Sequence, residues 1–258
     1  MPWTAFPYPD QAYVYDAAGL ASAWHRLHLG DAEPFPKKAA LVDAWIAFHA
    51  GDFERARKLG LAAGCDGYSV AHQASCVYAS YIEASEARRL AMFQEVAERC
   101  ERQQVDQPDN PAGYYWQAYA IGRYAKRISI VKALAHGLAP KVRAALETAI
   151  RLAPMHADAH FALGAYHAEI IGSVGGLIAG LTYGARKDDC YKAFLQGLQL
   201  DPGSAAGRIE YANALVLVEG KKKIDDARVL YREAAALVPQ DAAERLEVEV
   251  AKAKLGNG

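Results

Sequence analysis

"ALETAIRLAPMHADAHFALGAYHAEI", residues 145–170, decides the fold, because it closes one amphipathic helix on a proline and opens another within a few residues. Val142, Leu146 and Ala149 stand twelve, eight and five positions before Pro154, a spacing that puts all three on one helical face. The arrangement returns in "AFLQGLQLDP" (193–202), with Cys190, Phe194 and Gly197 before Pro202, and in "LYREAAALVP" (230–239), with Ala227, Tyr231 and Ala234 before Pro239. "CERQQVDQP" (100–108) carries a weaker version, with Val96, Cys100 and Gln103 before Pro108. After the prolines come further amphipathic runs, "DAHFALGAYHAEI" and "AAGRIEYANALVLVEG". A helix pair of this kind cannot bury its apolar face alone, so the units are expected to stack into a solenoid.

Composition allows this and excludes several alternatives. With 258 residues, 52% of them hydrophobic, the chain can bury a core without disulfides or metals. Lys plus Arg (29) nearly cancels Asp plus Glu (30), so no global field draws the protein to nucleic acid or an anionic membrane, and no nucleic acid is expected as a partner. The longest apolar runs, such as "ALVLV" (214–218), fall far short of the roughly 20 residues of a membrane helix. The start, "MPWTAFPYPD", has neither the basic nor the apolar region of a signal peptide. A soluble protein is expected, cytoplasmic by default, with a periplasmic location open if a signal was removed. Cys65, Cys76, Cys100 and Cys190 form no CxxC pair and are expected as free thiols, mostly buried.

Large and small residues at fixed spacing before a proline resemble the tetratricopeptide repeat, whose unit is about 34 residues. His160, Leu163, Gly164 and His167 fall where that repeat usually has Trp, Leu, Gly and Tyr, and "LVDAWIAFHAGDFERARKLGLAAG" (41–64) has the same form, with Gly51 at the turn and Ala56 at the small position. Successive prolines are 46, 48 and 37 residues apart, so two units carry insertions, "KRISIVKALAHGLAPK" (126–141) and "GSVGGLIAGLTYGARK" (172–187). Paired insertions make the chain similar to the regulator of microtubule dynamics family over roughly residues 37–255. The tetratricopeptide-like component of bacterial tripartite solute transporters also joins helical hairpins with apolar inserts. The resemblance implies an all-α fold, a right-handed superhelical solenoid of about five tetratricopeptide-like hairpins with N- and C-terminal capping helices. It implies no catalytic residue and no cofactor.

The expected organisation is an aromatic and Pro-rich arm with a capping helix over 1–36, repeats over 37–240 with insertions near 128–140 and 172–186, and a capping helix and tail over 241–258. In the arm, Trp3, Phe6, Tyr8, Tyr13 and Tyr15 are expected to pack over the first hairpins and lead into a helix over about 11–28. The closing helix, "DAAERLEVEVAKAKL", is expected to turn its charges outward.

Three features invite a chemical reading. His156, His160 and His167, with Glu169 beside them, suit zinc or nickel in type. His160 and His167 nevertheless stand at packing positions and no HExxH is present, so the structural reading is preferred and no metal is expected. The five glycines of "GSVGGLIAGLTYG" lack the preceding strand and the Lys-Ser/Thr pair of a phosphate loop. Between Asn110 and Leu146, Arg123, Lys126, Arg127, Lys132, Lys141 and Arg143 occur with no Asp or Glu, downstream of Tyr114, Tyr115, Trp116 and Tyr119. Tyr115, Tyr119 and Arg123 recur every four residues and form one stripe. With Lys126, Arg127, Glu169 and Asn213 they are the candidate contacts to a protein or peptide partner in the concave groove, an acidic or anionic one among the candidates. A pocket closed by the insertions, serving a small-ligand receptor or an enzyme, is the alternative.

Overall fold

The structure is a computed structural model that describes residues 2–128, 133 and 136–256. It is all-helical over those residues. Five hairpins follow one another: α2 (Ala39–His49) with α3 (Phe53–Ala62), α4 (Tyr68–Tyr81) with α5 (Glu86–Asp106), α6 (Pro111–Ala125) with α7 (Leu138–Leu152), α8 (Ala157–Val174) with α10 (Lys187–Leu200), and α11 (Ala205–Glu219) with α12 (Ile224–Ala235). Before them runs α1 (Ala17–Leu27), after them α13 (Ala242–Gly256), and α9 (Gly176–Tyr183) is inserted between α8 and α10. Residues 129–132 and 134–135 of the first insertion, Lys132 included, lie outside the described residues.

Helix ends follow local chemistry. Gln107, Ala153 and Asp201, each just before a proline, leave the helix in one conformation, with φ/ψ of −136°/67°, −135°/84° and −129°/86°. Proline's ring excludes the α region from the residue before it, which sets these three stops. Starts are capped by Asp52 on α3, Ser85 on α5, Asn110 on α6 and Ser204 on α11, whose side-chain oxygens accept a first-turn N–H. Helix α12 ends earlier, at Ala235, ahead of Pro239.

Small residues let the hairpins close. A Cβ on Gly164 would lie 2.7 Å from the Phe194 ring, so α8 and α10 touch through an aromatic seated on a glycine. Phe161 occupies the matching space over Gly197 and Gly207. Ala56, Ala149, Ala227 and Ala234 are buried at the small positions of their hairpins. The four cysteines are free, three of them buried.

Both ends of the chain depart from the expected picture. The single helix over 11–28 is replaced by a short 3-10 turn, Gln11–Tyr13, and α1, separated by Asp16, whose carboxylate caps Gly19 N–H. Ahead of it the arm lies on the first hairpins: Trp3 stacks on Tyr78 at 4.1 Å, and Phe6 covers Gly51, which holds φ at +87°. Helix α13 does not turn all its charges outward. Ala242 and Leu246 join Leu20, Trp24 and Ala44 in one cluster, so the last helix meets the first hairpin. Asp241 accepts from His49 Nδ1 at 2.7 Å, Glu244 pairs with Arg26 at 2.7 Å, and the Tyr15 hydroxyl donates to Gln240 O at 2.8 Å. The segment after α1 crosses to α8, where Asp158 N–H donates to Gly30 O at 2.9 Å. The solenoid is therefore closed across its concave side.

Candidate functional site

Closure leaves a chamber of about 240 Å³ bounded by α4, α6, α7, α8, α11 and α13. Val77, Tyr115, Trp116, Val142, Leu146 and Phe161 give it apolar walls. Charged and polar groups enter from α6, α8 and α11, which the repeat brings to one inner surface, and from α13.

Five of the seven candidate contacts, Tyr115, Tyr119, Arg123, Lys126 and Glu169, line this chamber together. Tyr115 is 5% exposed and packs edge-on to Trp116 and, at 4.5 Å, against the His156 ring. The Tyr119 hydroxyl is 2.9 Å from Ser80 Oγ, and the Arg123 guanidinium lies over the Tyr119 ring at 4.9 Å. Arg123 donates to Glu210 Oε1 at 2.9 Å, and Lys126 reaches Glu169 at 2.7 Å and Glu210 at 3.9 Å. Burial opposes the Glu210 charge, but Arg123 and Lys126 overcome it and hold that carboxyl below its ordinary range. Burial likewise opposes the Arg123 charge, and Tyr119 and Glu210 more than offset it.

Arg127 and Asn213 do not line the chamber. Helix α6 ends at Ala125 with Lys126 at its C-cap, so Arg127 lies past the helix and the four-residue spacing no longer sets its direction. Arg127 ends over Phe93 at 5.5 Å, with Glu86 at 3.3 Å. Asn213 turns toward α12 and accepts from the Tyr231 hydroxyl at 2.7 Å. The acid-free stretch is not a bare cationic surface either, because Lys141 pairs with Glu101 and Arg143 with Glu147. Those acids come from other helices or from just beyond the stretch.

The three histidines of the opening segment are separately engaged. His156 caps α8 by accepting Ala159 N–H at Nδ1, His160 Nε2 meets Pro154 O at 3.0 Å, and His167 accepts Arg186 N–H. Among the described residues, no group of three or more His, Cys, Asp or Glu is arranged to hold a metal ion. Helix α9 is not a lid. It is pinned against the outside of α8, where Tyr183 O accepts from Arg143 and from Tyr166, and its residues do not line the chamber.

Sequence reasoning missed Asp158, Glu210 and Glu247, all of which line the chamber. Glu210 is the acid inside the apolar run of α11, and the repeat register could have flagged it. Glu247 reaches the chamber only because α13 folds back, for which the local sequence holds no signal.

No known family profile matches the chain, and no curated protein does. A crystal structure of a thermophilic tetratricopeptide-repeat protein from Thermus thermophilus superposes with a TM-score of 0.59 at 15% identity, covering 83% of this chain and 97% of that one. The fold is that of a tetratricopeptide-repeat solenoid. This likeness shows the helical-repeat fold and does not show the narrower resemblance to the microtubule-dynamics regulators. Among the described residues, no helix is long and apolar enough to cross a membrane.

Proposed function

We propose that the chain is a non-catalytic tetratricopeptide-type adaptor whose concave chamber seats an anchoring side chain of a peptide or protein partner. The observation that carries this reading is the chamber itself: inner helices from successive repeats converge on one apolar-walled volume with the Arg123–Glu210 and Lys126–Glu169 pairs beside it. Apolar walls with a few placed polar groups are the usual chemistry of recognition pockets, and a repeat solenoid presents them along its inner face. Tyr115, Tyr119, Arg123, Lys126 and Glu169 are the proposed contacts. Because Arg123 and Lys126 already have carboxylate partners, the anchor meets ion pairs rather than bare cations, which weakens the case for an acidic tail. The resemblance to the microtubule-dynamics regulators fits an adaptor, but no chamber residue identifies a tubulin contact.

The test is to pan a random peptide display library on the parent protein and on Ala162→Trp, which fills the chamber from α8. Peptides enriched on the parent should lose binding to Ala162→Trp while its helical spectrum stays unchanged. Ser173→Trp, nearer the end of α8, serves if the first variant misfolds. Enriched peptides that bind a folded chamber-filled variant as well as the parent would move the site to another face.

A further inference from the structure

The chamber does not end at its apolar walls. Gln73, Asp158, Ala206, Ala243 and Glu247 also line a second cavity of about 100 Å³, bordered by α1, the segment after it, the turn before α11, and α13. Six carboxyl groups line this second cavity, from Asp31, Asp158, Asp201, Asp241, Glu244 and Glu247, against the single guanidinium of Arg26. Arg26 is already committed to Glu244, and Asp241 to His49. Asp158 has no cationic partner and no side-chain hydrogen bond among the described residues. Independently of the carboxyls, Gln73 presents a buried Oε1 that accepts no hydrogen bond among the described residues, and Gln73 lines both cavities. The passage between the cavities is thus dominated by carboxyl and amide oxygens, with the Gln73 amide N–H and the Ala206 N–H as its neutral donors, at the inner end of an apolar sleeve.

We propose that the group seated in the chamber is a cationic nitrogen on an aliphatic stem, the stem held by the apolar walls and the nitrogen placed between Asp158 and Glu247. This inference rests on the chamber being the binding site and adds the chemistry of its occupant: a lysine side chain of the partner, or a free alkylamine with the same features. An ammonium group supplies three donors and a positive charge to a site where carboxyl groups outnumber cations six to one, while its methylene stem is content in an apolar channel. The charges around the passage suit that occupant. Asp31 and Asp201 face Asp158, while Asp241 and Glu244 lie beside Glu247; Arg26 opposes from α1, and Tyr115 closes the side toward α6. Burial, reinforced by these neighbouring acids, pushes the Asp158 and Glu247 carboxyls well above the usual range. A cation arriving there stabilises their ionised forms, so binding releases protons.

The experiment titrates the full chain by calorimetry with octylammonium, octanoate and octanol, in two buffers of different ionisation enthalpy at neutral pH. Octylammonium should bind at least about tenfold more tightly than octanoate, a difference of roughly 1.4 kcal/mol, with a buffer-dependent heat that reports proton release. Asp158→Asn and Glu247→Gln should each cost octylammonium about tenfold while leaving octanol unchanged; octanol then reports that the chamber is intact. In parallel, each lysine of a panned peptide is changed to norleucine. Loss of peptide binding assigns the cation to a partner side chain, and octylammonium binding without such loss assigns it to a free amine. Equal affinity for octylammonium and octanoate, or indifference to both substitutions in folded protein, overturns the cationic occupant while leaving the chamber reading in place. If neither alkyl probes nor peptides respond to Ala162→Trp, the chamber reading falls with it.

Discussion

Gly164 and His156 show how much rests on single side chains. A leucine at Gly164 has no room beside Phe194, so Gly164→Leu should destabilise the protein by about 1–3 kcal/mol through overpacking, read as a lower urea midpoint with an unchanged slope. A variant that unfolds like the parent would mean that α8 and α10 do not meet as described. His156 is a cap rather than a ligand, and burial pushes its imidazole down to about 4. An unfolded chain protonates that histidine near pH 6.5, whereas the native site refuses the proton until about pH 4. In that window the unfolded state binds more protons, so this contribution is complete above about pH 6.5 and is lost as pH falls toward 4. His156→Asn keeps an acceptor for Ala159 N–H and removes the titration. Its melting point should fall less between pH 7 and pH 4.5 than the parent's does; buried His49 and His72, depressed in the same direction, keep the remainder of the acid sensitivity. An identical acid limb in parent and variant would show that His156 titrates normally.

At the scale of elements, α9 leaves most of its apolar surface uncovered. Leu177 and Leu181 are 78% and 82% exposed, and its buried residue is Ala179. Ala179 and Tyr183 tie it to the main apolar cluster, and Tyr183 O accepts from Arg143 at 2.9 Å and Tyr166 at 3.2 Å. Arg143→Met keeps the aliphatic stem and deletes the first of these bonds. Hydrogen exchange should then accelerate at the Ala179 and Ala185 amides, with global stability changing by less than about 0.5 kcal/mol. A loss as large as that of Gly164→Leu would place α9 inside the global folding unit. The sequence spacing already marks this insertion, since its glycines bracket a helix too short and too apolar to be a repeat helix. Gly175 and Gly184 take φ of +78° and +62°, values that glycine adopts freely.

For the whole molecule the decisive fact is that the two ends of the solenoid meet. An open repeat array is stabilised only between neighbours and can lose its units one at a time. Here His49–Asp241, Arg26–Glu244 and the Leu246 contacts tie residues about 200 positions apart, so the array should unfold as one unit. Tryptophan fluorescence, which reports mainly the first hairpins through Trp3, Trp24 and Trp45, should track far-UV circular dichroism through a urea titration. Asp241→Ala leaves His49 without its carboxylate and should separate the two curves, with fluorescence changing first. Coincident curves in that variant would mean that nearest-neighbour packing alone supplies the cooperativity.

The sequence by itself determined the hairpins. Prolines 108, 154 and 202 stop their helices through the residue before each, and Gly164, Ala149 and Ala227 mark where helices touch, because stops, caps and face spacing act within a turn or two of the chain. It also placed Tyr115, Tyr119 and Arg123 on one inward stripe, since 3.6 residues per turn is a local rule, and that rule stops with α6 at Ala125, short of Arg127. Only the tertiary structure decided which charges pair, for Glu210 meets Arg123 across 87 positions, and only it turned Glu247 inward. Closure of the ring, and with it the chamber and its acidic inner passage, depends on surfaces that meet only after every intervening repeat has added its small rotation. No local spacing encodes that sum.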